Sequence, residues 1–335
     1  MAQFGATILD AQGTCLNREE KAFFRDVNPF GFILFSRNID NAEQVRSLCH
    51  EFREAVGRDA IIMIDQEGGR IQRLRPPVAR NWPPPFDHVL QAGKSAARVM
   101  WLRYRLIAEE LHALGIDCNC APTADLANEN THHFLYNRCM GTMPKHVAGI
   151  CREIANAHFD AGILPIIKHI PGHGRSTNDS HFSLPRISTP LVELENTDFA
   201  IFRALNDLPL SMTAHVVFEA LDDSPVLHSN RTLDYIRSSI GFSGLILTDD
   251  ISMKALSGDL QVISKTAIES GCDVVLYCNG TLIDRHRVAE AAGVMSEVAQ
   301  KKAEATLTMR HNRQTIDSRA LETELSLLLD EEFND

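Results

Sequence analysis

Between Lys168 and His181 the chain reads Lys-His-Ile-Pro-Gly-His-Gly-Arg-Ser-Thr-Asn-Asp-Ser-His, which puts one Lys, three His and one Asp into a single loop. An apolar run, Gly162 to Ile167, leads directly into it. A buried strand that spills into so polar a loop is the usual form of a site held on a rigid element. Asp179 and His181 stand two residues apart, so in an extended segment both side chains project to the same side. A carboxylate beside an imidazole favours the protonated ring and fixes its orientation, which makes a proton donor near neutral pH. The plainer reading, a surface loop with unrelated histidines, leaves the density of Lys, His and Asp unexplained.

Asp249 closes the run Gly244-Leu245-Ile246-Leu247-Thr248, so a strand end holds its carboxylate rigidly. Together with Asp179 and His181 it supplies a carboxylate nucleophile and a separate proton donor. Asp250 follows it, and one of the two can cap a following helix while the other reacts; Asp249 is favoured for the chemistry. Other apolar runs also end in polar residues: Asp65 through Arg73, Pro122 to Asp125, Lys168-His169, and Met212 to His215. Lys168 and His169 read as ligands, acid–base groups or core residues. Asp65 and Arg73 on another strand end favour a hydroxyl-rich ligand held by charged hydrogen-bonding groups, and Arg also suits a carboxylate. His215 reads equally as support for the site or as a substrate contact.

The elements that position these residues are short apolar runs alternating with amphipathic stretches. The runs are Ala6 to Leu9, Phe30 to Ser36, Ala60 to Asp65, Asp117 to Ala121, Gly162 to His169, Leu210 to His215, Gly244 to Asp249 and Asp273 to Asn279. Helical patterns cover Asn41 to Val56, Ala96 to Leu114, Pro144 to Ala161, Leu191 to Leu205 and Leu260 to Ser270. Such alternation predicts an α/β protein with a mainly parallel sheet, and eight units predict a (β/α)8 TIM-type barrel with its site at the C-terminal ends of the strands. A doubly wound sheet is the competitor, but Asp10-Ala11-Gln12-Gly13-Thr14 after the first run is no glycine-rich phosphate turn. No composition break divides the chain, so residues 1–335 read as one catalytic domain. The proline-rich piece from Arg75 to Pro85 reads as a long loop, and the chain from about residue 300 as helices outside the barrel ending in an acidic tail.

The 335 residues are 44 % hydrophobic and 23 % charged, as in a globular protein with a full core. A formal net charge of -11 argues against nucleic-acid or anionic-membrane partners, which need clustered Lys and Arg. The first residues lack the pattern of a secretory signal, and no apolar run approaches the ~18 residues that span a bilayer. Eight scattered cysteines, several within apolar runs, suit free thiols in a reducing compartment, so the cytoplasm is the expected location. Cys118-Asn119-Cys120 lacks the spacing of a zinc or redox pair and reads as strand filler. No cofactor is expected.

The segments Ile64-Asp65-Gln66-Glu67-Gly68-Gly69-Arg70-Ile71-Gln72-Arg73, Lys168-His169-Ile170-Pro171-Gly172-His173-Gly174, Asp179-Ser180-His181, Met212-Thr213-Ala214-His215 and Thr248-Asp249-Asp250-Ile251-Ser252-Met253 together resemble glycoside hydrolase family 3, and within it the single-domain bacterial β-N-acetylhexosaminidases. The resemblance implies a retaining enzyme in which Asp249 is the nucleophile, Asp179 and His181 the acid/base dyad, and Asp65, Arg73, Arg138, Lys168 and His169 hold the sugar. It implies a small carbohydrate substrate, with terminal N-acetylglucosamine removed from anhydro-muropeptides during cell-wall recycling. The chain departs from the family around Arg138. There Asn137-Arg138-Cys139-Met140-Gly141 replaces Arg followed by a small residue and an aromatic, and Thr131 to Tyr136 is atypical too. A phosphate acceptor would make the protein a phosphorylase. Two rivals from other classes are a metal-dependent hydrolase using His169, His173, His181, Asp179 and Asp249, and a non-catalytic sugar-binding barrel. The histidine and carboxylate spacing fits no standard zinc pattern.

Overall fold

Each apolar run contains strand, and every strand it yields is buried along its whole length. The computed structural model describes residues 3–178, 183–311 and 313–331. In it the strands are β1 (Gly5–Leu9), β2 (Pro29–Leu34), β3 (Ile61–Ile64), β4 (Cys118–Asn119), β5 (Leu164–Pro165 and Ile167–Ile170, interrupted at Ile166), β6 (Leu210–Thr213), β7 (Leu245–Leu247) and β8 (Val275–Tyr277). Burial on both faces explains why they are continuous apolar runs without alternation.

All of these strands pair in parallel. One six-stranded sheet runs β8-β1-β2-β3-β4 and the first half of β5, and a three-stranded sheet joins β7, β6 and the second half of β5. Two isolated parallel bridges sit where the sheets meet: Thr123 with Lys168 in the second half of β5, and Leu247 at the end of β7 with Val274 just before β8. Thr7 of β1 pairs with Val275 of β8.

Helices flank the strands, and their ends are set by local chemistry. The helix Ala42–Val56 starts at Asn41, whose side chain accepts from the N–H groups of Glu43 and Gln44, and stops at Gly57 with φ of 65°. It buries Val45, Leu48, Cys49 and Phe52, one helical face. Phe52 stacks on Phe32 of β2 with ring centres 4.1 Å apart. Burying such a side chain contributes about 2 kcal/mol, and the main core repeats this around all eight strands. A separate small cluster (Phe86, Ala127, Leu135 and Cys139) lies under the one-turn helix His133–Tyr136.

Three details differ from the sequence expectation. The stretch Leu191 to Leu205 is two helices, Leu191–Asn196 and Asp198–Ala204, because Thr197 leaves helical geometry and its hydroxyl bonds Glu193 O and the Asp198 carboxylate. The segment after β3 folds back as a small antiparallel pair, Gln66–Gly68 with Ile71–Gln72. Pro85 opens the helix Pro85–Ala92, where its fixed φ suits a first turn.

At the N-terminal ends of the strands, Asp117 ties the C-terminal segment down. Its carboxylate accepts from Ile62 N at 2.6 Å and pairs with Arg53 and Arg310. Gly162 (φ 73°) passes so close that an added Cβ would lie 2.6 Å from Arg310 O. The helices Glu297–Thr308 and Ser318–Glu331 follow, and the last four residues lie outside the described residues. Seven of the free cysteines are buried and Cys15 is exposed. Among the described residues no helix is long and apolar enough to cross a membrane.

Candidate active site

Asp65 directly follows β3, and the antiparallel turn behind it brings Glu67 and Arg73 to the same place. Asp65 meets Lys168 Nζ and Arg73 Nη2, each at 2.9 Å. Glu67 meets the same Lys168 at 2.6 Å and takes a two-bond fork from Arg138, both at 2.9 Å. Glu67 and Lys168 are 1 % and 2 % exposed, so these charges are tolerable only because each is paired. Burial alone would raise the carboxyl pKa values. The Lys168 and Arg73 cations outweigh it at Asp65, which lies well below the usual carboxylate range. At Glu67, Arg138 and Lys168 outweigh it and hold the pKa at about 2. Burial would lower Lys168, but Asp65 and Glu67 raise it, so it is a firm cation. The Glu67 backbone is fixed as well, its carbonyl accepting from Arg103 Nη2 at 2.6 Å and Tyr104 Oη at 3.1 Å.

His169, at the end of β5, is joined to Lys168 by a cis peptide. Its Nδ1 lies 2.7 Å from Asp125 Oδ2, and its N–H donates to Asp125 Oδ1. Asp125 is fully buried. Burial would raise its pKa, and His169 holds it at about 2. A ring held this way through Nδ1 presents Nε2 to the cavity, 3.9 Å from Asp249 Oδ2. The His173 ring stands at 89° to it, with Nδ1 2.6 Å from Ser176 Oγ. Burial, then His169, pushes the pKa of His173 down to about 3, which keeps it neutral.

The two aspartates after β7 divide their work. Asp250 is consumed by the turn: its carboxylate accepts from Ser252 N and Oγ, Cys278 N and Asn279 Nδ2. Neither aspartate caps a helix, since the next one, Leu260–Ser270, is capped by Asp259. Asp249 Oδ1 accepts the Asp250 N–H at 2.8 Å, and among the described residues no Lys or Arg lies in salt-bridge range of it. Burial would raise the Asp249 pKa. His215, His169, the Asp250 N–H and Lys168 together bring it below the ordinary value, so the carboxylate is ionised. His215 is fully buried behind it, with Nε2 3.1 Å from Asp250 O.

Asp65, Arg73, Arg138, Lys168, His169 and Asp249 line one cavity of about 450 Å³. His215 is not in its lining, and Asp179 and His181 lie outside the described residues. Sequence reasoning left Glu67 and Asp125 without roles, although both stood in segments it singled out. Among the described residues no three His, Cys, Asp or Glu side chains are grouped to hold a metal ion. The arrangement offers buried donors and acceptors for several hydroxyls, beside one rigid, ionised carboxylate with no Lys or Arg bonded to it among the described residues. It can hold a sugar and attack it.

The model of the glycosyl hydrolase family 3 N-terminal domain matches residues 6–312. A protein from Alkalilimnicola ehrlichii named beta-hexosaminidase is 35 % identical over 285 residues, covering 82 % of this chain and 81 % of its own length. The native structure of NagZ from Neisseria gonorrhoeae superposes with a TM-score of 0.84 at 28 % identity, over 98 % of this chain and 96 % of that one. The same NagZ has been solved in complex with N-trifluoroacetyl-D-glucosamine. A family 3 beta-N-acetylglucosaminidase from Paenibacillus sp. str. FPU-7 has the same fold (TM-score 0.84, 24 % identity), and this chain spans 98 % of itself and 66 % of that longer one. The chain belongs to glycosyl hydrolase family 3.

Proposed function

We propose that this protein is a retaining exo-β-N-acetylglucosaminidase that releases terminal N-acetylglucosamine from cell-wall anhydro-muropeptide fragments in the cytoplasm. The observation that carries the reading is Asp249: ionised, rigid, free of any described Lys or Arg partner, and on the wall of a cavity lined by Asp65, Lys168, Arg73 and Arg138. The fold reading is a single-domain, closed (β/α)8 barrel, supported by strand pairings that run from β1 round to β8 and back. The buried free thiols support a reducing compartment.

In the first step the sugar hydroxyls bond to Asp65, Arg73, Lys168, His169 and Arg138, and Asp249 attacks the anomeric carbon. A bond from carboxylate oxygen to carbon forms as the bond to the leaving oxygen breaks. His181, supported by Asp179, is assigned the proton delivered to that oxygen. In the second step neutral His181 takes a proton from water, the water attacks the anomeric carbon, and Asp249 leaves, giving net retention. His215, His169, the Asp250 N–H and Lys168 keep Asp249 ionised between turnovers.

The test is p-nitrophenol release from its β-N-acetylglucosaminide, with the β-glucoside as control and product anomer read by NMR, with and without phosphate. Selective release of β-N-acetylglucosamine that collapses in Asp249→Asn is the expected result. Turnover only with phosphate identifies a phosphorylase, and full activity in Asp249→Asn sinks the mechanism.

A further inference from the structure

Among the described residues only Asn28 and Asn279 carry a side chain at positive φ. Asn28 ends the helix Arg18–Val27, an ordinary use of that conformation. Asn279, at φ 68°, stands two residues past β8 and lines the cavity beside Asp249 and Asp250. Residues held there against preference cluster at functional sites. Glycine would meet the backbone demand at no steric cost, so what Asn279 adds is the bonds of its amide.

Those bonds run to different parts of the wall. The Asn279 N–H donates to Asp10 Oδ2 at 2.9 Å, Oδ1 accepts from Arg37 Nη1 at 2.6 Å, and Nδ2 donates to Asp250 Oδ2 at 3.2 Å. Because Arg37 takes the oxygen, the end of the amide turned to Asp250 is the donor. Asp10, directly after β1, is fully buried. Arg285 grips its Oδ1 through Nε at 2.8 Å and Nη2 at 2.6 Å, and Arg37 pairs with its Oδ2. Buried charges paired in this way make a fixed post.

The other end of this chain of bonds is Asp249. Its Oδ1 accepts the Asp250 N–H at 2.8 Å, while Oδ2 faces His169 Nε2 at 3.9 Å. The rotation of the carboxylate therefore follows the Asp250 peptide. His215 Nε2 lies 3.1 Å from the carbonyl of Asp250, Ser252 N and Oγ donate to its carboxylate from its own turn, and Cys278 N and Asn279 Nδ2 donate from beyond β8. The Ser252 bonds move with the turn. Of these donors, Asn279 is the one bonded directly to the Asp10 cluster.

We propose that Asn279 is a positioning residue for the nucleophile: it ties the Asp250 carboxylate to the Asp10–Arg37–Arg285 cluster and thereby aims the Asp250 N–H that orients Asp249. The proposal rests on the glycosidase reading above, with Asp249 as the attacking group. Attack needs a carboxylate oxygen in line with the anomeric carbon, so a loosened turn loses rate while the sugar still binds. Asp65, Lys168 and Arg138 are paired among themselves and with Glu67 on other segments, and the tie does not touch them.

Asn279→Gly keeps the backbone conformation and removes the bonds to Arg37 and Asp250. On p-nitrophenyl β-N-acetylglucosaminide it should lower kcat about fivefold, with KM and the inhibition constant of free N-acetylglucosamine within about twofold and the thermal midpoint near wild type. Asn279→Asp returns an acceptor to Arg37 but sets a carboxylate against Asp250, and it should lose at least as much, which assigns the loss to the Asp250 bond. In both variants the acid limb of the kcat/KM profile should move to higher pH. The Asp250 N–H is one of the groups that lower the Asp249 pKa, beside His215, His169 and Lys168, and a misaimed N–H lowers it less. Added to Asp250→Ala, Asn279→Gly should cost less than about twofold more, because its effect runs through Asp250. The proposal is overturned if Asn279→Gly keeps wild-type kcat, if the inhibition constant rises in step with the loss, if the acid limb stays in place, or if the full loss recurs on top of Asp250→Ala. A wild-type protein that does not cleave the glycoside, or full activity in Asp249→Asn, overturns the glycosidase reading instead.

Discussion

Asp65 and Asp117 lie at opposite ends of neighbouring strands, each buried against two cations, yet their pKa values move in opposite directions. Asp65, past the C-terminal end of β3, has burial overcome by Lys168 and Arg73 and is driven down. Asp117, just before β4, has Arg310 and Arg53 beside it, but burial wins and the pKa rises. The two ends also differ in their charge count. Around Asp65 and Glu67 stand three cations, Lys168, Arg73 and Arg138, for two carboxylates. Around Asp117 and Asp59 stand two, Arg53 and Arg310. One end is merely neutral, which packing requires. The other carries a surplus positive charge over those two carboxylates, and nearby Asp249 has no Lys or Arg in salt-bridge range among the described residues.

The comparison breaks first at Asp249. Asp249→Asn should cost about ten-thousandfold in kcat with an unchanged thermal midpoint, measured by p-nitrophenol release and calorimetry. Asp117→Ala should do the reverse: about 2 kcal/mol of stability lost in urea titration, because Ile62 N loses its acceptor and Arg310 and Arg53 keep only Asp59 as a carboxylate partner, with kcat/KM retained. Asp65→Asn should lower kcat/KM about a hundredfold, close to 2.7 kcal/mol on the same scale, and leave the urea midpoint nearer wild type than Asp117→Ala does. If the stability losses of these two variants are equal, the distinction between the ends fails.

Acid should sharpen the contrast. Glu67 and Asp125 are depressed to about 2 from unfolded values near 4, so their stabilisation is complete above pH of about 4 and drains away as pH falls towards 2. Asp117 is raised, so protonation favours its folded form and acid costs nothing there. Hydrogen exchange at pH 3 against pH 6 should show residues 64–73 losing protection while residues 116–119 keep theirs. The smallest effect is expected at Gly162→Ala, where the positive φ and the close approach of Arg310 O should cost about 1 kcal/mol without touching activity.

Much of this is legible in the sequence, and the limit is physical. Strand ends announce themselves, because an apolar run closing on Asp or Lys-His is a local pattern. That is why Asp65, Lys168, His169 and Asp249 stood out, and why the eight runs correspond to eight strands. Glu67 and Asp125 act only through distant partners: Arg138 is 71 residues from Glu67, and His169 is 44 from Asp125. No window of sequence holds both members of such a pair. The turn Gln66–Gly68 with Ile71–Gln72 was missed because strands of two or three residues carry no period, and the break at Thr197 because one side chain overrides an otherwise helical stretch.

The pairing of Thr7 with Val275 sets the order of events during synthesis. Until the ribosome has delivered residue 277, Gly5 to Leu9 has a partner on one side only, and its other backbone edge stays open for the time needed to translate most of the chain. An apolar, unpaired strand edge recruits other chains. The nascent protein therefore needs shielding throughout elongation, and its yield in a cell should depend on chaperone supply and translation speed more than the stability of the finished fold would suggest.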